Sequence, residues 1–475
     1  MSVISVGVRS KPKSPSPSAR EYLHKVSRGG VSKHEKQSLY TGGSKYAFAC
    51  NAGVGNLLNS SHVVAFGDVH GDIEALKACL RISGVTNEDG SWIAPRGTAV
   101  IILGDVVDRY RENFDRRIQA DLLANSVDPV TGLTKSLGEI PGEEMLVLRT
   151  INDLSMQARR NGSVVMRLVG NHEVAQSQNI TVLKNPPSRV QEIGDYAYQK
   201  LYASQTALGG SDPAKFQERY ESFHNPMGEF HRAVGECSPK AIIQVGSHIF
   251  LHGGLTAEHV NAATDLARSG NRKNFIDLAN DMFSDYWNNA GAGYTADQFL
   301  YIVEGMLYNK QLADDNVTEA ACSLRSQQAI AALNANLQEF SPGWPEVKRI
   351  VVSHCPQWLR PETNLGYLPA RLNPTPPIAG VEEYTTRGVP PGMPRFMLTP
   401  LDNKTINCVC EAKVWRVDVN MSRAFTFARA TYRIKGIHPN EELKYKRAMR
   451  PAVLIIDDDG GEYSVRQTTD NLPLV

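Results

Sequence analysis

The sequence predicts an α/β fold in which consecutive strands are connected by helices and lie parallel in a sheet. Three apolar runs, at 62–67, 98–103 and 163–169, have the length of buried strands. Residues 72–80 follow the first run and residues 143–160 precede the third, and both segments have the apolar spacing of helices. Strands that alternate with helices in this way are typical of parallel βαβ units.

Each of these three strands ends at a glycine followed by a residue that can bind a metal. Asp68 and His70 follow the first strand, Asp105 follows the second, and Asn171 follows the third. Ligands of open parallel sheets bind beyond the carboxyl ends of the strands. Because carboxylate and imidazole groups are ligands for hard or borderline divalent metals, the pattern indicates a metal site at this edge of the sheet.

Two later segments bring further histidines to strand ends. Residues 241–251 read as a hairpin that leads into His252, and the strand predicted at 347–353 ends in His354. Further strands are predicted at 414–419 and 452–456.

The remaining segments are predicted as insertions and loops. Residues 185–240 and 256–340 read as mostly helical insertions beside the core. Residues 360–400 are rich in proline, which predicts an irregular surface loop.

Composition excludes several classes of protein. Hydrophobic residues make up 41% and charged residues 21% of the 475, as in a soluble globular protein, and the net charge of +1 does not favour nucleic acid or membrane surfaces. No apolar run reaches the roughly 18 residues of a membrane span, and the N-terminus lacks a secretory signal. We therefore expect an intracellular, cytoplasmic location. Seven scattered cysteines predict reduced thiols rather than a disulfide framework.

Five short blocks carry the chemistry of the sequence: Gly67-Asp-Val-His-Gly71, Gly104-Asp-Val-Val-Asp-Arg109, Gly170-Asn-His-Glu173, His252-Gly-Gly254 and His354. In motif, order and spacing they resemble the signature blocks of the calcineurin-like metallophosphoesterases, and within them the phosphoprotein phosphatase family, over about residues 60–425. The segment Val417-Asp-Val-Asn-Met-Ser-Arg423 and the helical insertions are most similar to the bacterial-type, Shewanella-like serine/threonine phosphatases.

The resemblance implies a four-layer α/β/β/α sandwich and a site for two divalent metal ions. Asp105 bridges the two ions, and the implied ligands are Asp68, His70 and Asp105 for one ion and Asp105, Asn171, His252 and His354 for the other. Nitrogen and oxygen ligands without a thiolate favour manganese, with iron or zinc as alternatives. Such a pair of ions polarises a phosphoryl oxygen and acidifies a water.

The resemblance also implies catalytic residues that do not bind metal. His172 protonates the leaving-group oxygen, Asp108 orients His172, and Arg109 offers a planar fork for two phosphate oxygens. An alternative for Asp108 is a salt bridge with Arg109 alone, and an alternative for Arg109 is a surface ion pair. We expect Glu173 to brace its loop.

Two positions depart from the family pattern. Tyr110 stands where the family usually has glycine, and it either narrows the mouth of the site or packs against Phe114. Lys310 is the nearest match to a phosphate-binding arginine of the bacterial-type members, and it would act as a point charge. The substrate-binding set is therefore Arg109, Asn171, Tyr110 and Lys310.

The expected domain organisation has three parts. Residues 1–45 are predicted to be a disordered, basic tail rich in proline and serine, 46–435 the metallophosphoesterase catalytic domain, and 436–475 a strand and tail beside the core. The basic tail is either a solvated extension or an arm that docks a partner, an anionic surface or nucleic acid.

The expected activity is hydrolysis of a phosphomonoester. The expected substrate is a phosphoprotein that carries phosphoserine or phosphothreonine, with phosphotyrosine as an alternative. Two alternatives remain open at this stage. One is a hydrolase of dinucleoside polyphosphates or other nucleotides, and the other is a pseudophosphatase that binds phosphorylated partners without turnover.

Overall fold

Two β-sheets with helices on their outer faces make up the described part of the chain. The computed structural model describes residues 55–107, 143–177, 228–236, 239–288, 294–312, 318–355, 365–400, 406–419, 421, 450–457 and 461–470, all within one unit, Ala47–Val475. No helix in these ranges is both long enough and apolar enough to cross a membrane.

The secondary-structure elements are numbered along the chain. The strands are β1 (Leu57–Leu58), β2 (His62–Phe66), β3 (Thr98–Ile102), β4 (Val164–Arg167), β5 (Ile242–Val245), β6 (His248–Leu251), β7 (Arg349–Val352), β8 (Leu365–Pro369), β9 (Arg371–Leu372), β10 (Val381–Thr385), β11 (Phe396–Pro400), β12 (Asn407–Val409), β13 (Val414–Arg416), β14 (Ala452–Asp457) and β15 (Glu462–Thr468). The helices are α1 (Ile73–Ile82), α2 (Glu143–Arg160), α3 (Asn171–Ser177), α4 (Glu229–Gly235), α5 (Ala257–Leu266), α6 (Phe275–Asn288), α7 (Ala296–Phe299), α8 (Gly305–Tyr308) and α9 (Glu319–Phe340). A π-helical turn, Leu300–Glu304, connects α7 to α8.

The first sheet has seven strands in the order β4-β3-β2-β14-β15-β10-β9. Strands β2, β3 and β4 are parallel, as the βαβ alternation predicts, and their side chains are almost all buried. The remaining strands of this sheet pair antiparallel, starting with β14 against β2. The carboxyl ends of the three parallel strands therefore lie together at one edge.

The second sheet has eight strands in the order β1-β5-β6-β7-β13-β12-β8-β11. Strands β5 and β6 form the predicted antiparallel hairpin, and β6 then runs parallel to β7. This parallel pair brings the residues after β6 and after β7 to the same edge of the sheet.

The two sheets pack face to face through aromatic side chains. Tyr463 of the first sheet stacks on Trp415 of the second, with ring centroids 5.3 Å apart, and it also contacts Phe396. Helices α1 and α2 pack on the first sheet, and α6 and α9 pack on the second. The implied α/β/β/α sandwich is thus confirmed.

Helix α1 begins directly after the turn that contains Asp68 and His70, and a side-chain cap fixes where it begins. The side chain of Asp72 accepts hydrogen bonds from the N–H groups of Glu74 and Ala75, which caps the helix one residue after the Asp-X-His-Gly turn. Leu76 and Leu80 then bury the apolar face of the helix.

The prediction of an irregular loop at 360–400 is wrong, because β8, β9, β10 and β11 lie in this segment. Pro369 and Pro400 are the last residues of β8 and β11, and β9 and β11 are edge strands. Proline is tolerated at strand ends and sheet edges, where its missing N–H removes no ladder hydrogen bond.

The expectation of reduced thiols is wrong for one pair of cysteines. Cys322, in the first turn of α9, is joined by a disulfide to Cys410 in the turn after β12, with Cα atoms 5.0 Å apart. The two cysteines are separated by 88 residues, so their spacing in the sequence gives no sign of the pairing. Cys79 and Cys408 are buried free cysteines.

Candidate active site

The polar residues that follow five strands meet where the two sheets come together. Asp68 and His70 follow β2, and Asp105 follows β3. Asn171 and His172 follow β4 as the first residues of α3. The second sheet contributes two further histidines from the ends of its parallel strands, His252 after β6 and His354 after β7.

Asp105 lies at the centre of this cluster. Its Oδ2 atom is 3.3 Å from Nε2 of His252, 3.5 Å from Nε2 of His172 and 3.8 Å from Nε2 of His70. The carboxylate is almost fully buried. A carboxylate oxygen surrounded by three imidazoles offers oxygen and nitrogen ligands of the kind that bind divalent metals.

Asp68 lies beside His70 and His252, and a serine fixes its carboxylate. The Ser353 hydroxyl donates a 2.6 Å hydrogen bond to Oδ1 of Asp68, and Nδ1 of His252 lies 3.7 Å from the same oxygen. Sequence reasoning missed Ser353, and its position directly before His354 was the one available signal. Hydrogen bonds of this kind orient carboxylates that bind metals.

Two backbone carbonyl groups set the tautomers of two histidines. Nδ1 of His252 lies 2.7 Å from the carbonyl oxygen of Leu103, and Nδ1 of His70 lies 3.2 Å from that of Val107. Because a carbonyl oxygen can only accept, each Nδ1 carries the proton. Nε2 of each ring then faces the cluster, the orientation that a metal ligand requires, and Nε2 of His252 lies 2.9 Å from the amide oxygen of Asn171.

The side chains offer two groups of potential metal-binding atoms, each with all its atoms within 4.8 Å of one another. One group is His70, Asp105 and His172, and the other is Asp105, His252 and His354. Asp105 belongs to both groups. His172 is itself part of the first group and offers a ligand atom to a metal, so its role as an acid stays a prediction.

One nitrogen of His354 shows whether these residues are suited to hold a metal ion. Nε2 of His354 is buried and has no hydrogen-bond partner among the described residues. Burial, with the charges of His252 and Lys310 acting in the same direction, holds the pKa of His354 well below its ordinary value. A buried nitrogen of a neutral imidazole, with no hydrogen-bond partner among the described residues, is suited to bind a cation, so the donor set fits a metal.

The charge of the Asp105 carboxylate also favours metal binding. Burial raises the pKa of Asp105, but the nearby charges of His172, His252 and His70 outweigh burial and hold the pKa well below its ordinary value. The carboxylate is therefore ionised and able to bind cations at neutral pH.

Three of these residues adopt a backbone conformation that non-glycine residues rarely take. The φ angles of His70, Asp105 and His354 are 42°, 48° and 68°. Left-handed conformations cost free energy in residues with a Cβ atom, and they concentrate at functional sites. Here the conformation turns each side chain out of the end of its strand and into the cluster.

Glu173 braces the loops around Asp105, as expected from the sequence. Its carboxylate accepts hydrogen bonds from four backbone N–H groups, those of Asp105, Val106, Val107 and Gly170, at 2.7–3.1 Å. The side chain is fully buried. One carboxylate therefore connects the loop after β3 to the loop after β4.

Glycines allow the loops of the site to approach closely. A Cβ atom on Gly104 would lie 2.5 Å from the backbone nitrogen of Gly170, and one on Gly253 would collide with the carbonyl oxygens of Met306 and Leu307. The loop after β6 is thus pressed against the end of α8.

Tyr308, at the end of α8, is a second residue that sequence reasoning did not assign to the site. Its hydroxyl donates to the carbonyl oxygen of Asn171 at 3.4 Å, and its ring lies edge-on to His354 with centroids 6.2 Å apart. Lys310 is exposed two residues further on. The predicted residues Asp108, Arg109 and Tyr110 lie outside the described residues.

Comparisons with known proteins identify the family. The sequence profile of the calcineurin-like phosphoesterases matches residues 61–297. The chain is 27% identical over 245 residues to Shewanella-like protein phosphatase 1 of Plasmodium berghei, covering 50% of the chain and 52% of that protein. It is 25% identical over 223 residues to Shewanella-like protein phosphatase 2 of Arabidopsis thaliana, covering 42% of the chain and 47% of that protein.

The chain thus spans about half the length of these curated relatives. Among solved structures, the cold-active protein-tyrosine phosphatase of a psychrophilic Shewanella species aligns with a TM-score of 0.44 and 16% identity, over 88% of this chain and 80% of that one. The chain belongs to the calcineurin-like phosphoesterases, and the curated relatives it matches are Shewanella-like protein phosphatases.

Proposed function

We propose that the protein is a metal-dependent phosphomonoesterase and, within that class, a serine/threonine protein phosphatase. The observation that carries the proposal is the buried Nε2 atom of His354, which has no partner among the described residues and belongs to one group with Asp105 and His252. The matched relatives, which are named protein phosphatases, support the choice of a phosphoprotein as substrate.

Family membership implies divalent metal ions, and the proposed number is two. The proposed ligands are Asp68, His70 and Asp105 for one ion and Asp105, Asn171, His252 and His354 for the other, with manganese preferred and iron or zinc as alternatives. When bound, the ions supply positive charge for the phosphoryl oxygens and lower the pKa of a water molecule.

The protein's own residues have separate proposed tasks. His172, whose Nε2 is 3.5 Å from Asp105, gives its proton to the leaving oxygen of serine or threonine, and Asp108 orients its ring. Arg109 binds two phosphoryl oxygens through its planar fork. Asn171 and Lys310 add a polar amide and a positive charge for the substrate.

The hydrogen bonds that orient the side chains of the cluster support these separate roles. The backbone N–H of His172 donates to Oδ1 of Asp105 at 2.9 Å, so the proposed acid and the proposed bridging ligand are held as a pair. Nδ1 of His252 and of His70 are engaged by carbonyl groups, which reserves their Nε2 atoms for the cluster. Preorganised groups of this kind act in the transition state without further rearrangement.

A substrate panel tests the proposal. Purified protein supplied with manganese is assayed on phosphoserine, phosphothreonine and phosphotyrosine peptides and on a dinucleoside polyphosphate. The proposal predicts the highest kcat/KM on the phosphoserine or phosphothreonine peptide. Preference for the dinucleoside polyphosphate would instead identify a nucleotide hydrolase, and failure to hydrolyse a generic aryl phosphate at any metal content would identify a pseudophosphatase.

A further inference from the structure

A cavity of about 510 Å³ lies against the first sheet, away from the candidate active site. His62, the first residue of β2, lines the cavity, whereas Asp68 follows the opposite end of the same strand. Six residues of extended chain separate the two positions, which corresponds to roughly 20 Å. The cavity is therefore distinct from the metal-binding cluster.

The cavity opens on the outer face of the sheet. Its lining includes Ser464 and Arg466 of β15, which lie on the opposite face from Tyr463, the residue that packs against the second sheet. Arg466 also donates to the carbonyl oxygens of Ile82 and Ser83 at the end of α1. The cavity thus lies beside the end of α1, where the helix no longer covers the strands.

Three arginines and two carboxylates give the cavity an excess of positive charge. Nε of Arg466 is 2.7 Å from Glu383, and Arg387 is 3.0 Å from Asp457. Arg371 also lines the cavity, and it makes no ion pair within the described part of the chain. One guanidinium is therefore available for an anionic ligand.

A second arginine of the lining, Arg387, can also turn to a ligand. The side chain of Arg387 is 64% exposed and shares its charge between Asp457 and Glu462, which lies outside the cavity. Ion pairs this exposed contribute little stability, so exchanging part of such a pair for a bound anion is inexpensive. If Arg387 turns to a ligand, Asp457 remains paired with Nδ1 of His62.

The rest of the lining combines hydrogen-bonding side chains with two apolar residues, Pro377 and Ile455. Its hydrogen-bonding side chains are Asn373, Thr375, Thr385 and Ser464. The volume falls within the range of pockets that hold small ligands. Hydroxyl and amide groups around guanidinium forks match a hydrophilic oxyanion, since arginine binds phosphate or carboxylate oxygens in pairs.

We propose that this cavity is a second binding site, which takes a phosphate group through the guanidinium groups of Arg371 and Arg387. The group can come from inorganic phosphate or from a small phosphorylated molecule. Nothing in the site requires hydrolysis, because no side chain in the lining belongs to the metal-binding cluster.

Calorimetry on the manganese-loaded protein tests the proposal with inorganic phosphate and with methylphosphonate, which carries a carbon substituent and resists hydrolysis. The wild type should bind one phosphate in the cavity in addition to any bound at the active site. Arg371→Ala should weaken cavity binding by at least about tenfold, which is 1.4 kcal/mol. Arg325→Ala removes an exposed arginine from α9 and should titrate as the wild type does.

The two probes separate the sources of the phosphate group. Binding of both indicates that the cavity accepts a phosphorylated molecule, and binding of inorganic phosphate alone indicates the free ion. Identical titrations of Arg371→Ala and wild type with both probes would overturn the proposal.

A crystal soaked in tungstate gives a check that needs no variant. The proposal predicts an anomalous peak within hydrogen-bonding distance of the guanidinium groups of Arg371 and Arg387. A peak at the metal-binding cluster with none in the cavity would overturn the assignment.

Discussion

The carboxylate of Glu173 accepts a hydrogen bond from the backbone N–H of Asp105, with Oε2 and N 3.0 Å apart. Because the same carboxylate also receives the N–H groups of Val106, Val107 and Gly170, Glu173 fixes the loop from which Asp105 projects. A residue that binds no substrate thus determines where the proposed bridging ligand lies.

Replacing Glu173 by glutamine should weaken both the fold and metal binding. The amide directs hydrogens at backbone donors that need an acceptor, so we expect a loss of about 1–3 kcal/mol in the free energy of unfolding. Metal affinity should fall by roughly 10-fold to 100-fold. Urea unfolding and metal titration measure the two effects. The exposed Glu88→Gln is the matched control, and equal behaviour of the two variants would refute the bracing role.

Gly253→Ala should destabilise the protein because the new Cβ atom would meet the carbonyl oxygens of Met306 and Leu307. Backbone atoms cannot move aside as a flexible side chain can, so we expect a loss of about 1–3 kcal/mol in urea unfolding and reduced hydrolysis. Gly343→Ala is the control, since a Cβ atom there has no atom within 4 Å. If both variants unfold at the same urea concentration, the loop does not press against α8.

His172 and Asp105 should respond differently to substitution by asparagine. Asp105→Asn removes the charge that bridges the proposed ions, so metal content and hydrolysis should fall together. His172→Asn removes a proton donor, so kcat should fall by roughly 10²-fold to 10⁴-fold with the metal retained. Metal analysis of each purified variant beside its kinetics makes the comparison. Loss of metal from His172→Asn would assign the imidazole to the ligands instead.

His248 should make the protein less stable in mild acid. Burial, together with the charge of Arg349, lowers its pKa from 6.5 to about 3 in the folded protein. Between these values the unfolded chain binds a proton that the folded chain does not, so stability falls as the pH drops from 6.5 towards 3. The contribution to the slope is at most about 1.4 kcal/mol per pH unit.

Urea unfolding at pH 5 and pH 7 isolates this effect when His248→Gln is measured beside the wild type. The wild type should lose more stability between the two pH values than the variant. His248 lies between the sheets, with Nε2 2.9 Å from the hydroxyl of Tyr463, so a repacking effect would appear equally at both pH values. Parallel pH dependence of the two proteins would contradict the assignment.

The sequence predicted the parts of the fold that depend on short stretches of chain. Asp68 and His70 share one turn after β2, and the strands β2, β3 and β4 begin and end within three residues of their predicted bounds. The positions of these two side chains could be predicted from the Gly-Asp-X-His motif alone, because local backbone geometry directs both of them beyond the end of the strand.

The contacts that the sequence did not predict depend on which elements become neighbours. Ser353 reaches Asp68 across 285 positions, and Tyr308 reaches Asn171 across 137, through the packing of the two sheets. The disulfide between Cys322 and Cys410 depends likewise on distant elements becoming neighbours, in this case α9 and β12. The strands within 360–400 were missed because proline occurs at the ends of strands and in edge strands as well as in loops.

The most direct test of the proposed metal-dependent activity is hydrolysis of an aryl phosphate by one preparation before and after its metal is removed. The protein is stripped with a chelator, its metal content is measured, and manganese is returned in steps. We predict that hydrolysis is lost with the metal and returns as two equivalents per chain bind. Full hydrolysis by protein shown to contain no metal would contradict the account.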